Sequence, residues 1–174
     1  MARTALVPLV AAAALLAACG SAGEDRRAPE PAAARWTTEP RATIARTEVA
    51  AARVGRFVFV VGGFAAPDGA TTDVVERYDL VRRRWRRVAP LPVPLNHAAA
   101  ASDGRRLYVV GGYAARSSLD DEVATLYRYD PERDRWSRLR SSPTTRGAHA
   151  VGVIGHRLYV VGGVRDGEAL RTLE

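Results

Sequence analysis

Few side chains in this 174-residue chain have the type and spacing to do chemistry. Cys19 is the only cysteine, so no disulfide can form within the chain, and its thiol ends a small-residue site, Leu16-Ala17-Ala18-Cys19, at the end of an apolar stretch, Ala5 to Leu16. A lone thiol in an exported protein is a liability unless it is modified, so its position favours a modification site over a free thiol. His97, His149 and His156 are the three imidazoles. A metal site needs ligands converging at short paired spacings, and these three are spread over separate segments, so neither a metal nor any other cofactor is expected. No Ser-His-Asp order, Gly-x-Ser-x-Gly elbow or phosphate-cradling loop occurs. No catalytic residue is assigned, and the reading leans away from an enzyme.

The residues around Cys19 say where the chain is expected to go. Arg3, the apolar stretch and a small-residue site make up an export signal over residues 1–18. The stretch is shorter than the ~20 residues that span a bilayer. Leu16-Ala17-Ala18-Cys19 resembles the bacterial lipobox. That resemblance implies that diacylglycerol is attached to Cys19, which becomes the mature N-terminus. Gly20 in place of Asp departs from the inner-membrane retention pattern of diderm bacteria. Residues 19–34, rich in Ala, Pro, Gly and charge without apolar periodicity, read as the lipidated cysteine and a disordered tether. The expected location is the cell envelope, anchored to the membrane by lipid on the extracytoplasmic face.

The elements that would position any site are set by a repeat. Trp36, Trp85 and Trp136 each precede a glycine pair, Gly62-Gly63, Gly111-Gly112 and Gly162-Gly163, by the same 26 residues. A period near ~50 residues is the spacing of one propeller blade per repeat. Apolar runs end at each pair: Phe57 to Val61, Leu107 to Val110 and Leu158 to Val161. Such runs suit strands covered on both faces. Small-residue stretches precede them (Val49 to Ala52, Ala98 to Ala101, Ala148 to Val151), joined by turns at Gly55, Gly104 and Gly155. Loops are expected at Phe64–Asp73 and Tyr113–Asp121, then a third strand ending in Tyr78-Asp79 or Tyr129-Asp130. A tight turn and an outer strand bearing Trp follow, with Tyr and Trp 7 residues apart both times. The glycines need positive φ or a close backbone neighbour rather than a ligand.

These motifs resemble the kelch repeat, and the match covers residues 35–174. The resemblance implies an all-β fold: an incomplete kelch-type β-propeller of about two and a half four-stranded blades, the N-terminal portion of a longer one, since closed propellers take ~4–8 blades. Trp36 is expected on an orphan outer strand. Glu168 to Glu174 is expected where the third strand of another blade begins. The family often has His two or three residues after Arg or Pro at the start of the inner strand. Arg146-Gly147-Ala148-His149 fits; Leu95-Asn96-His97 loses the Arg; Arg46-Thr47-Glu48 replaces the His. Arg46, His97, Arg146 and His149 are thus the candidate binding residues, with the capping of a loop-to-strand junction as their structural alternative.

The chain is basic, +7 with pI ≈ 10.4, and all 26 basic residues are Arg. The cluster Arg82 to Arg87 is read as a solvated rim, with anionic lipid or acidic polysaccharide as the alternative. Nucleic acid is not an expected partner of an exported protein. The expected function is a membrane-anchored binding or scaffold protein recognising protein or glycan through inter-blade loops. The alternatives are part of a propeller enzyme acting on sugars, similar to the mutarotases, and a non-functional truncated fragment. Kelch-type copper oxidases need a Tyr-Cys crosslink, for which no second cysteine is present.

Overall fold

Small residues followed by β-branched and aromatic ones produce strands throughout the computed structural model, which describes residues 35–174. The export signal, Cys19 and the tether fall outside the described residues. In chain order the strands are β1 (Arg46–Thr47), β2 (Ala50–Val54), β3 (Phe57–Val61), β4 (Phe64–Ala65), β5 (Ala70–Thr71), β6 (Val75–Asp79), β7 (Arg84–Val88), β8 (Ala99–Ser102), β9 (Leu107–Val110), β10 (Leu126–Asp130), β11 (Arg135–Leu139), β12 (Ala150–Ile154), β13 (Arg157–Val161), β14 (Val164–Arg165) and β15 (Glu168–Ala169). Two four-stranded antiparallel sheets, β2-β3-β6-β7 and β8-β9-β10-β11, form blades 1 and 2. The hairpin β12-β13 opens a third. The fold is all-β, a partial propeller.

The fixed Tyr-to-Trp distance has a simple cause. Tyr78 lies directly across the sheet from Trp85, and Tyr129 from Trp136, with ring centroids 5.1 and 4.9 Å apart. The aspartate after each tyrosine closes the turn: Asp79 Oδ1 accepts from the Val81 and Arg82 N–H groups (3.0 Å each), Asp130 Oδ1 from Glu132 and Arg133 (3.0 and 3.2 Å). Arg83 and Asp134 finish those turns at φ 52° and 49°. Burial works to raise the Asp79 carboxyl, but donation from Arg82 and Val81 and the nearby Arg56 outweigh it and hold it below the usual carboxylate range.

Blades meet through their faces. Phe59 of blade 1 packs edge-on against Tyr129 of blade 2, centroids 5.5 Å apart, among fully buried Leu107 and Val109. A smaller cluster of Ala99, Val110 and Val160 joins blade 2 to β12-β13. The segments between blades are stitched by the tryptophans. Trp85 Nε1 donates to the Pro40 carbonyl (2.7 Å) and Trp136 Nε1 to that of Ala89 (2.9 Å). Each acceptor stands four residues after the preceding repeat's tryptophan.

Three expectations need correction. Trp36 is on no strand and its side chain is exposed. No described strand pairs with its backbone, and the Trp36 repeat is marked instead by Pro40. The stretch Phe64–Asp73 is more than a loop: β4 and β5 form a hairpin, with β4 also pairing with β1. In the third repeat, Glu168-Ala169 is still that hairpin, paired with β14, and only Leu173 and Glu174 reach the third-strand position beside β13.

Candidate binding face at the glycine-pair end of the blades

The first two glycine pairs each end a strand where the backbone leading into the next blade crosses it. A Cβ on Gly62 (φ 61°) would stand 2.2 Å from the Leu95 carbonyl oxygen, and one on Gly111 (φ 62°) 2.6 Å from that of Arg146. The following glycines grip those same carbonyls: Gly63 N–H donates to Leu95 O and Gly112 N–H to Arg146 O, 2.8 Å each. Side chains would push the blades apart, so the pair is a device for blade-to-blade contact.

The lead-in segments held this way form a ladder across the blades. His97 N–H donates to Glu48 O (3.2 Å), and Ala148 N–H to His97 O (2.9 Å). Glu48, His97 and Ala148 share positive φ of 52°, 49° and 53°. The equivalent positions are therefore Glu48, His97 and Ala148, so His97 and His149, read as occupying comparable places, are offset by one residue. That offset sends their side chains to different surroundings.

His97 lies between the rings of Phe64 and Tyr113 (centroids 5.9 and 5.6 Å). Its Nδ1 is 2.8 Å from Asn96 Oδ1, and its Nε2 3.1 Å from a carboxylate oxygen of half-exposed Glu48. Asn96 is fully buried and donates to Thr71 Oγ1 (2.9 Å) and Tyr113 O. The His149 ring instead lies under Gly111, with neither ring nitrogen hydrogen-bonded to a side chain or another full-strength partner. Burial first, and the Arg146 charge second, lower its pKa to about 4, so at neutral pH it is uncharged. His156 sits exposed at the β12-β13 turn.

Arg46 and Arg146 are interior groups. Arg46 donates to Gly62 O (3.2 Å) and Val74 O (2.8 Å) and pairs with Glu76 at 2.7 Å, the two side chains 2% and 0% exposed. Thr43 closes the set from its backbone N–H to the other Glu76 oxygen (3.0 Å). Arg146 repeats the arrangement with Gly162 O (2.7 Å), Thr172 Oγ1 (3.0 Å) and Glu174 (3.0 Å). Both guanidiniums are committed to the protein's own carbonyls and carboxylates. In blade 2, Leu95 takes the arginine position and Tyr127 that of Glu76, both inside the hydrophobic core.

What reaches solvent at this end is the loop hairpins and the lead-in backbone. They are tied across blades: Thr71 N–H donates to Arg116 O and Thr71 Oγ1 to Ala115 O (2.6 Å each), and Asp166 N–H to Glu122 (3.1 Å). An open cleft of about 300 Å³ lies along β1 and β4, lined mainly by Thr47, Phe64, Ala65, Ala66 and Pro67. Among the described residues no group of three or more His, Cys, Asp or Glu is placed to hold a metal, and no helix is long and apolar enough to cross a membrane.

The family described as the KLHDC2/KLHL20/DRC7 Kelch-repeats domain matches residues 33–174. The chain belongs to the kelch-repeat family. Kelch-like protein terF of Aspergillus terreus is 35% identical over 145 residues, covering 77% of this chain and 32% of that protein. Kelch-like protein 15 of Gallus gallus is 34% identical over 114 residues, covering 64% and 22%. Kelch repeat and BTB domain-containing protein 12 of Homo sapiens is 33% identical over 98 residues, covering 53% and 16%. The chain spans about a third or less of the length of these relatives.

Within this kelch arc, sequence reasoning singled out Arg46 and Arg146 and missed their partners Glu76 and Glu174. A signal for Glu76 was present: an acidic residue in a strand two places before the Tyr-Asp pair, where the next repeat has Tyr127, invites a buried counter-charge. Glu48 and Phe64 at the face carried no such signal.

Proposed function

We propose that the chain is a kelch-repeat binding module that engages a protein ligand through its glycine-pair face, held outside the cell membrane by lipid on Cys19. The observation that carries the binding reading is the cross-blade stitching of the loops. Ladder bonds from Glu48 through His97 to Ala148, with the Thr71 and Asp166 contacts, hold loops of successive blades as one surface. A surface held in advance loses little entropy on binding. The apolar lining of the cleft, Phe64, Ala65, Ala66 and Pro67, favours a protein side chain over sugar hydroxyls, which need convergent polar groups. The anchoring reading rests on Leu16-Ala17-Ala18-Cys19 after an apolar stretch.

Two experiments test these parts separately. Crosslinking the anchored full chain in cell envelopes should capture a protein that Phe64→Asp and Glu48→Arg lose while Arg105→Ala, at the opposite turn, retains it. Capture unaffected by the face variants, or a glycan array giving the sole signal, would overturn the protein-ligand reading. For the anchor, Cys19→Ser should abolish incorporation of labelled palmitate and leave the precursor unprocessed; normal processing of that variant would refute it.

A further inference from the structure

The arginine run of the β6–β7 turn and β7 divides into two sets. Arg83 pairs with Glu39 at 3.1 Å and Arg87 Nε donates to Thr43 Oγ1 at 3.3 Å, so both are taken up by the segment that leads into blade 1. Arg84 and Arg86 alternate with Trp85 along β7 and so lie on the other face of the sheet. That face is turned to blade 2: Arg86 stands in one cross-sheet row with Arg77 and Phe59, and Phe59 packs against Tyr129. Arg77, Arg82, Arg84 and Arg86 surround a recess of about 80 Å³, walled also by Phe57 and Asp79. Opposite is the β10–β11 turn of blade 2. Burial works to raise the Asp134 carboxyl there, but donation from Tyr129 and Ala89, with the charges of Arg77 and Arg86, holds it below the usual carboxylate range.

Two observations point to an anion in this recess. The first is register. Arg77 and Arg86 are directly opposite each other on neighbouring strands, and like charges in that relation destabilise a sheet. Among the described residues neither of them, nor Arg84, has a carboxylate within ion-pair distance. Asp79 does not answer them: one oxygen caps the turn through the Val81 and Arg82 N–H groups, and the other accepts from Arg56 at 3.0 Å. The second is the comparison between blades. In blade 2 Arg128 stands opposite Ser137, and Arg106 and Arg133 both pair with Asp130, at 3.2 and 2.9 Å. The repeat does not require the opposed arginines, and blade 1 carries them in addition. Arg77 is also held in place, with its guanidinium carbon 4.5 Å from the centre of the Phe57 ring.

We propose that this recess binds a phosphate group, presented as free phosphate or as the headgroup of an anionic lipid. Its volume is roughly that of two or three waters at ~30 Å³ each, room for one such group. Guanidiniums arriving from β6, from the turn and from β7 offer N–H groups from different directions. That suits the oxygens of a tetrahedral anion better than a flat carboxylate. The bound phosphate bridges Arg77 and Arg86 and so relieves their repulsion. The site lies on the outer part of blade 1, apart from the glycine-pair face, and rests neither on the loop reading nor on Cys19.

The test titrates the full 174-residue chain with inorganic phosphate against chloride at matched ionic strength. The melting temperature is expected to rise to a plateau with phosphate alone, since a ligand of the native state stabilises it. Arg86→Ser and, separately, Arg84→Gln should each weaken phosphate binding about tenfold. Arg138→Ser, an equal loss of charge on the exposed outer strand of blade 2, should leave it unchanged. The order of stability should also invert. Without phosphate Arg86→Ser melts at or above the parent, because the opposed pair is gone; at saturating phosphate it melts below. A solvated rim of arginines gives neither the inversion nor a difference from Arg138→Ser, and that result overturns the proposal. Pelleting with phosphatidylglycerol vesicles then identifies the source, read only as differences between variants because all share the same N-terminal segment. A greater loss for Arg86→Ser than for Arg138→Ser identifies a lipid headgroup. Equal vesicle binding, with the phosphate difference intact, identifies free phosphate.

Discussion

At the scale of single residues, the buried Arg46–Glu76 pair and its replacement by Leu95 and Tyr127 in the next repeat form a natural comparison. Removing one member of a buried pair strands the other charge: Arg46→Leu alone should cost about 3–5 kcal/mol, whereas Arg46→Leu with Glu76→Tyr should recover most of it. Urea melts of the two variants and the parent check this. His149 adds a pH dependence. Its folded pKa, about 4, lies below the ordinary 6.5, so the unfolded chain binds the proton first. Stability from this group is therefore full above pH 6.5, falls as pH drops towards 4 and is constant below. With part of the ring near solvent, the loss should be on the order of 2 kcal/mol. Asp79, Asp103, Asp130 and Asp134 are all held below the usual carboxylate range and act in a lower window, losing their contribution only as pH falls below 3.8. Melts at pH 7, 5 and 4 on the parent and His149→Phe should show the upper window flattened in the variant alone. Glu76 invited a buried counter-charge, but its pairing with Arg46 and the desolvation of His149 were not legible in the sequence, because both depend on distant backbone brought close by folding, Gly62 and Val74 around Arg46 and Gly111 against His149.

At the scale of elements, the glycine pairs give the sharpest comparison. Gly62, Gly111 and Gly162 share the positive φ, 61°, 62° and 65°. A Cβ at the first two meets a carbonyl of the next blade at 2.2 and 2.6 Å, but at Gly162 it meets only Leu170 O at 3.8 Å. Gly162→Ala should cost only the left-handed backbone penalty, about 1–2 kcal/mol. Gly111→Ala should cost more by the displacement of Arg146 and the His149 ring, and Gly111→Val more again; thermal melts order the three. The hairpins, the Tyr-to-Trp distance and the need for glycine were readable from spacing, since each is a local consequence of pairing register. The β4-β5 hairpin was not, because its strands are only two residues each and are held by β1 and by the loop of the neighbouring blade. Trp36 misled for the opposite reason: its spacing is regular, but a strand needs a pairing partner as well as a pattern.

At the scale of the whole molecule, stability should be graded along the blades. The interface of blades 1 and 2 buries Phe59, Tyr129, Leu107 and Val109 completely, whereas β12 and β13 leave Ile154 and Val161 exposed. In a repeat array each unit leans on its neighbours. Native-state hydrogen exchange should accordingly find β3 and β9 slower than β12 and β13, and Phe59→Ala should lower global stability by about 3–5 kcal/mol. The amino-acid sequence by itself determined the repeat, its four-strand unit and the family, because period, turn residues and cross-strand partners are set within ~50 residues. Only the tertiary structure decided that Arg46 and Arg146 are interior struts, and that Glu48, His97 and Ala148 are equivalent positions in the segments leading into the blades. Those facts arise where one blade meets the next, and contacts between repeats leave no spacing in the chain.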